Sequence, residues 1–373
     1  MMPSEEYWQD YGPLQAAKHE ILEPYLQAWF PMLASFSGRV VYVDCCAGRG
    51  RHGTGQEGSP LLALKTLLKH EAREWILKNT EVVFTFFEKD EANHKALQCE
   101  LEALQDVPDN VTIQAVPEDY QQSIESILGS LEEEGKTLAP LFAFLDPFGF
   151  KISLDLVNRI LRHEGTELLI TFMFRKIDMA IHNEALSDRM DELFGTTDWE
   201  SCTKSSFPER EQRREAIVRL FADQLSATWV TPFYMESNRN RYQYILFHAS
   251  NHDDGRRKIK EAMWKTSQTG DFTARENRDR RQALLMKPEP DWKDLTNLLW
   301  ENFSGKEVSA DKLHQWLLET RYREPHLHKL ISYYRNKNAL EAYDYGKRFA
   351  WKRNPTLVFP EEKPGAIPDK LYS

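Results

Sequence analysis

The chain predicts an α/β protein: a doubly wound, mostly parallel sheet closed by an antiparallel hairpin, then a smaller helical unit. Three observations carry this. Apolar runs at residues 39–44, 82–87, 111–116, 141–145 and 167–174 alternate with helical patterns near 60–70, 91–104, 120–134 and 152–163, the pattern of parallel strands joined by right-handed crossovers. Extended runs at 229–235 and 242–249, separated by polar residues, read as a hairpin. Lys287-Pro288-Glu289-Pro290 then punctuates a new start.

In chain order, an aromatic lead-in (Tyr7, Trp8, Tyr11) precedes Leu14, Ala17, Ile21, Leu22, Tyr25, Leu26 and Trp29, which recur at helical spacing. The first strand runs through Val40-Val41-Tyr42-Val43 to Asp44 and turns through Gly48 and Gly50. Gly53, Gly55 and Gly58 prolong the loop before Ser59-Pro60 opens a helix, with Ser59 expected as N-cap and Pro60 at N1. Four further strand and helix units follow, and a helical insertion is expected near 176–226. A helix at 254–266 completes a first domain spanning 1–270. Residues 271–287 are polar and charged, as a linker would be, and 288–373 form a second domain. There, helical patterns at 292–303, 310–320 and 325–336 precede two short strands around Tyr345-Gly346-Lys347-Arg348. Three short helices followed by a hairpin read as a winged helix-turn-helix.

Composition bounds the function. At 373 residues, 41% hydrophobic and 12% aromatic, the chain has material for more than one globular domain. It lacks the apolar run of about 18 residues that reads as a membrane span. The acidic start Met1-Met2-Pro3-Ser4-Glu5-Glu6 is unlike a secretion signal, so a cytoplasmic location without membrane attachment is expected. Cys45, Cys46, Cys99 and Cys202 form no CxxC pair and read as reduced thiols, with no metal site. The net charge of −10 argues against a general nucleic-acid coat, yet residues 321–353 carry nine Lys/Arg against three acids. Within that basic segment Lys329, Arg335, Lys337, Lys347, Arg348 and Lys352 are interleaved with tyrosines, Phe349 and Trp351. This combination suits phosphate contacts, with protein contacts an open alternative.

A strand, glycine loop and capped helix make a nucleotide-sized site at the carboxyl end of a first strand. Gly48-Arg49-Gly50-Arg51-His52-Gly53 formally matches the dinucleotide pattern, but Glu88, the next strand-ending acid, lies 40 residues on where roughly 20 are expected. No Gly-Lys-Ser/Thr closes the loop as a P-loop requires. S-adenosylmethionine fits better, because its amino group and ribose hydroxyls want carboxylates and it carries no phosphate. A turn that binds nothing remains the bland alternative. The cofactor candidates are Asp44, Cys45, Ala47, Gly48, Gly50, Ser59, Glu88, Lys89 and Asp119. Glu88 is placed for the ribose hydroxyls and Asp119 for the adenine amine. Asp146-Pro147-Phe148-Gly149 ends the fourth strand beside this loop. Asp146 and the Pro147 carbonyl could each accept a hydrogen of an exocyclic amine, and Phe148 could stack on the heterocycle. Arg49, Arg51 and His52 are candidate nucleic-acid contacts or solvated loop charges. Lys18 reads more readily as a solvated helix residue than as a site residue.

Taken jointly, Lys18-His19-Glu20-Ile21-Leu22-Glu23-Pro24-Tyr25-Leu26-Gln27-Ala28-Trp29, the Val43–Gly50 stretch, Gly58-Ser59-Pro60 and Asp146-Pro147-Phe148-Gly149 resemble the three-Cys-motif partner proteins. The resemblance spans most of the chain. It implies a Rossmann-like, class I S-adenosylmethionine-dependent methyltransferase fold with an appended winged helix. It also implies association with a phage-type protein carrying a three-cysteine, radical-SAM-like motif, those cysteines belonging to the partner. Asp44, Gly48 and Gly50 carry over as cofactor-loop positions, Glu88 as the ribose acid and Asp146 to Gly149 as the catalytic motif. Asp-Pro-Phe-Gly also resembles the motif of tRNA guanine-N2 dimethyltransferases. It departs from the Asp/Asn-Pro-Pro-Tyr/Phe of amino-group DNA methyltransferases, which puts adenine-N6 or cytosine-N4 chemistry in doubt. The expectation is a methyltransferase modifying a nucleobase amine in RNA or DNA. The alternative is a non-catalytic cofactor-binding partner or nucleic-acid-binding adaptor. Neither composition nor motif specifies an oligomeric state.

Overall fold

In a computed structural model, which describes residues 8, 11–237, 241–267, 270–276, 289–344, 353–365 and 371, each of the five apolar runs is a strand. Helix α1 (Pro13–Ala34) leads into β1 (Arg39–Asp44), and α2 (Ser59–Leu68) and α3 (Arg73–Asn79) follow. The alternation continues through β2 (Glu81–Phe87), α4 (Glu91–Glu102), β3 (Val111–Val116), α5 (Tyr120–Glu133), β4 (Leu141–Leu145), α6 (Leu154–Leu161) and β5 (Thr166–Phe172). All residues of β4 and β5 are buried, the mark of strands covered on both faces.

The predicted insertion consists of α7 (Phe174–Ala180), α8 (Ser187–Phe194) and α9 (Arg210–Gln224). Arg213 Nε bonds Asp178 Oδ1 at 2.9 Å and so ties α9 to α7. The hairpin is β6 (Trp229–Ser237) and β7 (Arg241–Ser250), followed by α10 (Asp253–Ser267). The stretch read as a linker contains an eighth strand, β8 (Thr273–Arg275), parallel to Tyr234–Glu236 of β6. Three residues are too few for a two-residue period to register in sequence.

The strand order is β3-β2-β1-β4-β5-β7-β6-β8, with β7 antiparallel to both neighbours. This mostly parallel sheet with flanking helices is a Rossmann-like, doubly wound arrangement. Because β1 lies between β2 and β4, the crossovers on its two sides diverge and open a crevice at the carboxyl ends of these strands.

Helix α1 contains Pro24 and Pro31, which propensity alone would not tolerate in a helix interior. Burial overrides that preference. Tyr25 and Trp29 pack on Phe142, and Phe30 packs on Phe84, ring centroids lying 5.4 to 6.0 Å apart. Each fully buried aromatic or aliphatic side chain contributes about 1.5–3 kcal/mol. A buried polar cluster fixes the register of α1: the Tyr25 hydroxyl donates to Glu167 Oε2, which also lies 3.1 Å from His248 Nε2.

By contacts the chain divides into Met1–Ala262 with Thr273–Arg280, and Met263–Phe272 with Arg281–Ser373. The second unit contains α11 (Trp292–Phe303), β9 (Glu307–Ser309), α12 (Ala310–Glu319), α13 (Glu324–Asn336), β10 (Glu341–Tyr343) and β11 (Thr356–Val358). Its three strands form an antiparallel sheet in the order β10-β11-β9, of which β9 was not predicted. Trp292, Trp300, Phe303, Leu330 and Phe359 are among its buried core residues. Lys329 and Lys337 are exposed, Arg335 is half-buried, and Lys347, Arg348 and Lys352 lie outside the described residues. Among the described residues no helix is long and apolar enough to cross a membrane.

Candidate functional site

The loop after β1 is held by its own backbone. Cys45 N–H donates to the Phe144 carbonyl and Ala47 N–H to that of Phe87, each at 2.9 Å, while Gly58 N–H closes the loop onto the Gly50 carbonyl at 2.7 Å. Gly48 and Gly50 take φ of 65° and 78°, a left-handed conformation costly for residues with a Cβ. At Gly48 a Cβ would also collide with the Trp8 indole. Gly58, not Ser59, is the N-cap of α2, and no side chain caps the helix. The helix begins one residue earlier than expected, which puts Pro60 at N2.

Asp44 is fully buried, and its Oδ1 accepts the Cys46 N–H at 3.2 Å. Burial pushes its carboxyl up to about 7, an effect that the Ser59 hydroxyl and the Cys46 N–H only partly offset. Asp44 therefore braces the loop from behind, as do Ala47, Gly50 and Ser59, none of which lines the cavity in front.

That cavity, of about 200 Å³, opens at the carboxyl ends of β1 to β4. Cys45, Cys46 and Gly48 of the loop form one wall, with Trp8 beside them. Phe87, Glu88 and Lys89 after β2, and Glu118, Asp119, Tyr120 and Gln121 at the start of α5, form another. Asp146, Pro147, Phe148 and Gly149 after β4, with Lys151, close it. The structure thus brings Cys45, Gly48, Glu88, Lys89, Asp119 and the Asp146 to Gly149 motif into one pocket.

The pocket is acidic, and each acid is anchored. Glu88 accepts the Gly48 N–H through Oε2 at 2.9 Å and the Asp90 N–H through Oε1 at 2.8 Å. Burial nevertheless raises its carboxyl above the ordinary range. Burial alone would also raise Asp119, but the Gln121 N–H, Lys89 and Lys151 outweigh it and hold this carboxyl below the ordinary range. Lys89 and Lys151 lie 3.2 and 3.6 Å from Asp119 Oδ2, so the two pocket cations share one carboxylate. Gln121 is 8% exposed, and its Nε2 finds no well-aligned acceptor, although it lies close enough to the Tyr120 phenol to offset part of that group's upward shift.

Lys18 is not solvated. It is 3% exposed and ion-paired with Asp146 Oδ2, its Nζ 5.8 Å from the Phe144 ring and 5.7 Å from that of Tyr244. The helical period places it beside Ala17, Ile21 and Leu22 on the buried face of α1. Its neighbour His19 is buried and meets the Tyr11 hydroxyl at 2.9 Å through Nδ1. Burial, with Lys18 nearby, lowers His19 to about 3, so it is neutral at physiological pH.

After β4 the Gly149 N–H donates back to the Pro147 carbonyl at 2.8 Å, a three-residue turn with Phe148 at its apex. Phe148 is 39% exposed, and the Lys176 ammonium stands 4.4 Å over its ring.

The loop cations expected at a substrate are engaged inside the protein. Arg49 Nε donates to Asn93 Oδ1 at 2.6 Å, and its guanidinium lies 5.6 Å from the Trp8 ring. Arg51 pairs with Glu100 at 3.0 Å and with Glu57 at 3.8 Å. His52 is 4% exposed, its ring against Trp8 and Tyr11. A long glycine loop makes such side chains look solvent-facing in sequence, whereas here the amino-terminal aromatics and α4 cover them. Trp8, Lys18 and Gln121 are among the site-forming residues that sequence reasoning does not assign, as are Cys46, Phe87, Glu118, Tyr120 and Lys151. Only the aromatic lead-in hinted at Trp8. Among the described residues no group of three or more His, Cys, Asp or Glu could hold a metal ion.

No family model matches the chain. No curated protein matches it either. Among solved structures it is similar to protein LPL1258 from Legionella pneumophila, with 12% identity, 64% of this chain and 85% of that one covered, and a TM-score of 0.34. It is also similar to the human methyltransferase 10 domain containing protein, with 14% identity, coverage of 62% and 83%, and a TM-score of 0.28. A third is the glycopeptide N-methyltransferase MtfA complexed with sinefungin, with 14% identity, coverage of 64% and 87%, and a TM-score of 0.26.

Proposed function

We propose that the chain is an S-adenosylmethionine-dependent methyltransferase that modifies an exocyclic amine of a nucleobase in RNA or DNA. The observation that carries this reading is the convergence of Glu88, Asp119 and Asp146-Pro147-Phe148-Gly149 on one cavity at the carboxyl ends of β1 to β4. The donor set suits that cofactor. Its carboxylates match hydroxyl and amino groups, its two lysines are both drawn to Asp119, and Gln121 offers a buried amide whose Nε2 has no well-aligned acceptor. A phosphate-bearing dinucleotide would meet carboxylates where it needs cations.

When bound, the cofactor supplies a methyl group on a positively charged sulfur. The residues of the chain then have separate tasks. Glu88 would take the ribose hydroxyls, and Gln121 with Asp119 the adenine edge. Asp146, held through Oδ2 by Lys18, keeps Oδ1 for a hydrogen of the substrate amine, and the Pro147 carbonyl has a second lone pair for the other. Phe148 offers its face to the base. In-line displacement needs mainly this positioning and the exclusion of water.

The order α11-β9-α12-α13-β10-β11 supports reading the second unit as a winged helix. In that reading α13, with its C-cap residue Lys337, carries Lys329, Arg335 and Lys337 to nucleic acid. Association with a three-cysteine, radical-SAM-like protein belongs to the same proposal and is tested by co-purification.

Calorimetric titration with S-adenosylmethionine tests the cofactor, and transfer of labelled methyl to total RNA and DNA tests the reaction. Asp146→Ala is expected to abolish transfer while cofactor affinity stays within about twofold, since the cofactor contacts lie on other strands. Absence of heat at millimolar cofactor would overturn the reading. Binding without transfer would leave a non-catalytic cofactor-binding adaptor.

A further inference from the structure

The segment directly after β5 bears on how a substrate reaches the pocket. Most cations around the site have a carboxylate beside them: Lys18 has Asp146, Lys89 and Lys151 share Asp119, Arg51 has Glu57 and Glu100, Arg213 has Asp178, and Arg214 has Glu215. Arg175 and Lys176 differ. Among the described residues neither has a carboxylate partner; Arg175 reaches only Gln243 Oε1 at 3.4 Å, and Lys176 stands over the Phe148 ring. Phe148 lines the pocket and is 39% exposed, while Met179, one helical turn beyond Arg175, is 70% exposed. An aromatic plane at the pocket mouth, two unneutralised cations and an exposed thioether therefore share one edge of the sheet.

We propose that Phe148, Arg175, Lys176 and Met179 form the track along which a single-stranded segment of nucleic acid enters the pocket. Lys176 and Arg175 contact the phosphates flanking the target base. This rests on the reading of the pocket as a methyl-transfer site. The ammonium of Lys176 rests on the ring that the base would occupy, so stacking of the base displaces it toward the adjoining phosphate. Partial burial already lowers the Lys176 ammonium below its ordinary range, and a phosphate partner relieves that cost. Single strands suit such a surface because every base has a face to stack and every linkage a charge to neutralise. Duplex readout needs a groove-filling element instead.

The test is fluorescence anisotropy of the full chain with labelled 12-nucleotide single strands of RNA and of DNA, for wild type, Arg175→Gln, Lys176→Gln and the double variant. The double variant is expected to bind roughly tenfold more weakly on any sequence, with a salt slope shallower by about 1.4, near 0.7 per lost phosphate contact. Cofactor affinity, measured on the same preparations, should be unchanged, which also reports correct folding. Unchanged affinity and slope in the double variant would overturn the inference, as would absence of single-strand binding by wild type. So would equal competition by poly-glutamate at matched ionic strength, which would indicate an acidic protein partner. Methyl transfer to nucleic acid is measured in parallel. If wild type transfers methyl but the double variant binds as well as wild type, only the track is wrong. If the double variant loses strand binding while wild type methylates neither RNA nor DNA, the track stands and the methyltransferase reading falls.

Discussion

Replacing Lys18 by methionine keeps most of the aliphatic stem and removes the cation that Asp146 meets inside the protein. Lys18 is 3% exposed and Asp146 18%, so the pair is shielded on the lysine side and opens toward the pocket on the other. Breaking a buried pair by deleting one partner costs about 3–5 kcal/mol. Because pocket water can solvate part of the stranded carboxylate, the lower end, about 3 kcal/mol, is expected. For a domain of this size that corresponds to a fall in Tm of roughly 6–12 °C. The assay is urea unfolding of Lys18→Met, Asp146→Asn and the double variant. Asp146→Asn should be at least as damaging as Lys18→Met, because it strands the more deeply buried Lys18 ammonium, and the double variant much milder than the sum, with coupling of at least about 2 kcal/mol. Free energies that add within about 0.5 kcal/mol would refute the argument that Lys18 exists to hold Asp146.

Asp44 carries a pH signature. Its carboxyl rises from 3.8 to about 7 on folding, chiefly through burial, so its contribution to stability is complete below about pH 4, is lost as pH rises to about 7, and is flat above. Asp44→Asn, which keeps an acceptor for the Cys46 N–H, should therefore gain on the order of 2–3 kcal/mol more at pH 8 than at pH 5 in urea unfolding. A pH-independent difference would contradict this. Gly48→Ala combines a positive φ with a collision against Trp8, and should cost about 1–2 kcal/mol from the backbone alone, plus whatever displacement of the indole adds. Differential scanning calorimetry reads the loss; a fall no larger than the backbone share would show that Trp8 moves freely, and a Tm equal to wild type would refute both contributions. Glu88→Gln keeps one acceptor for the loop but removes the charge, and should weaken cofactor binding on the order of tenfold by calorimetry. Unchanged affinity would remove Glu88 from the cofactor site.

Much of the fold is legible along the chain. Strands β1, β3 and β4 have the bounds that their apolar runs mark: β4 is buried on both faces and β1 ends in a glycine turn, while β3, only partly buried, is bounded by Asn110 and Pro117. The run through β5 was read two residues too long, since Met173 and Phe174 are as apolar as the strand yet start α7. The carboxylates after β2, β3 and β4 were placed by the same reasoning, because strand ends of one parallel sheet must share an edge.

Periodicity reports whether a side chain is buried, but not against what. For Lys18 even burial is missed, because a lysine reads as a solvated helix residue, whereas Asp146, 128 residues away, holds it inside the protein. Nor could periodicity foresee Trp8 over Gly48, the engagement of Arg49 by Asn93, of Arg51 by Glu57 and Glu100 and of His52 by the amino-terminal aromatics, or Asp44 standing behind the pocket wall. The sequence alone determined a doubly wound sheet with acids at its carboxyl edge, because local hydrophobic pattern and turn chemistry suffice for that. Only the tertiary structure decided which charges are spent on one another and which remain for a ligand, because pairing depends on distances between segments that the chain brings together late.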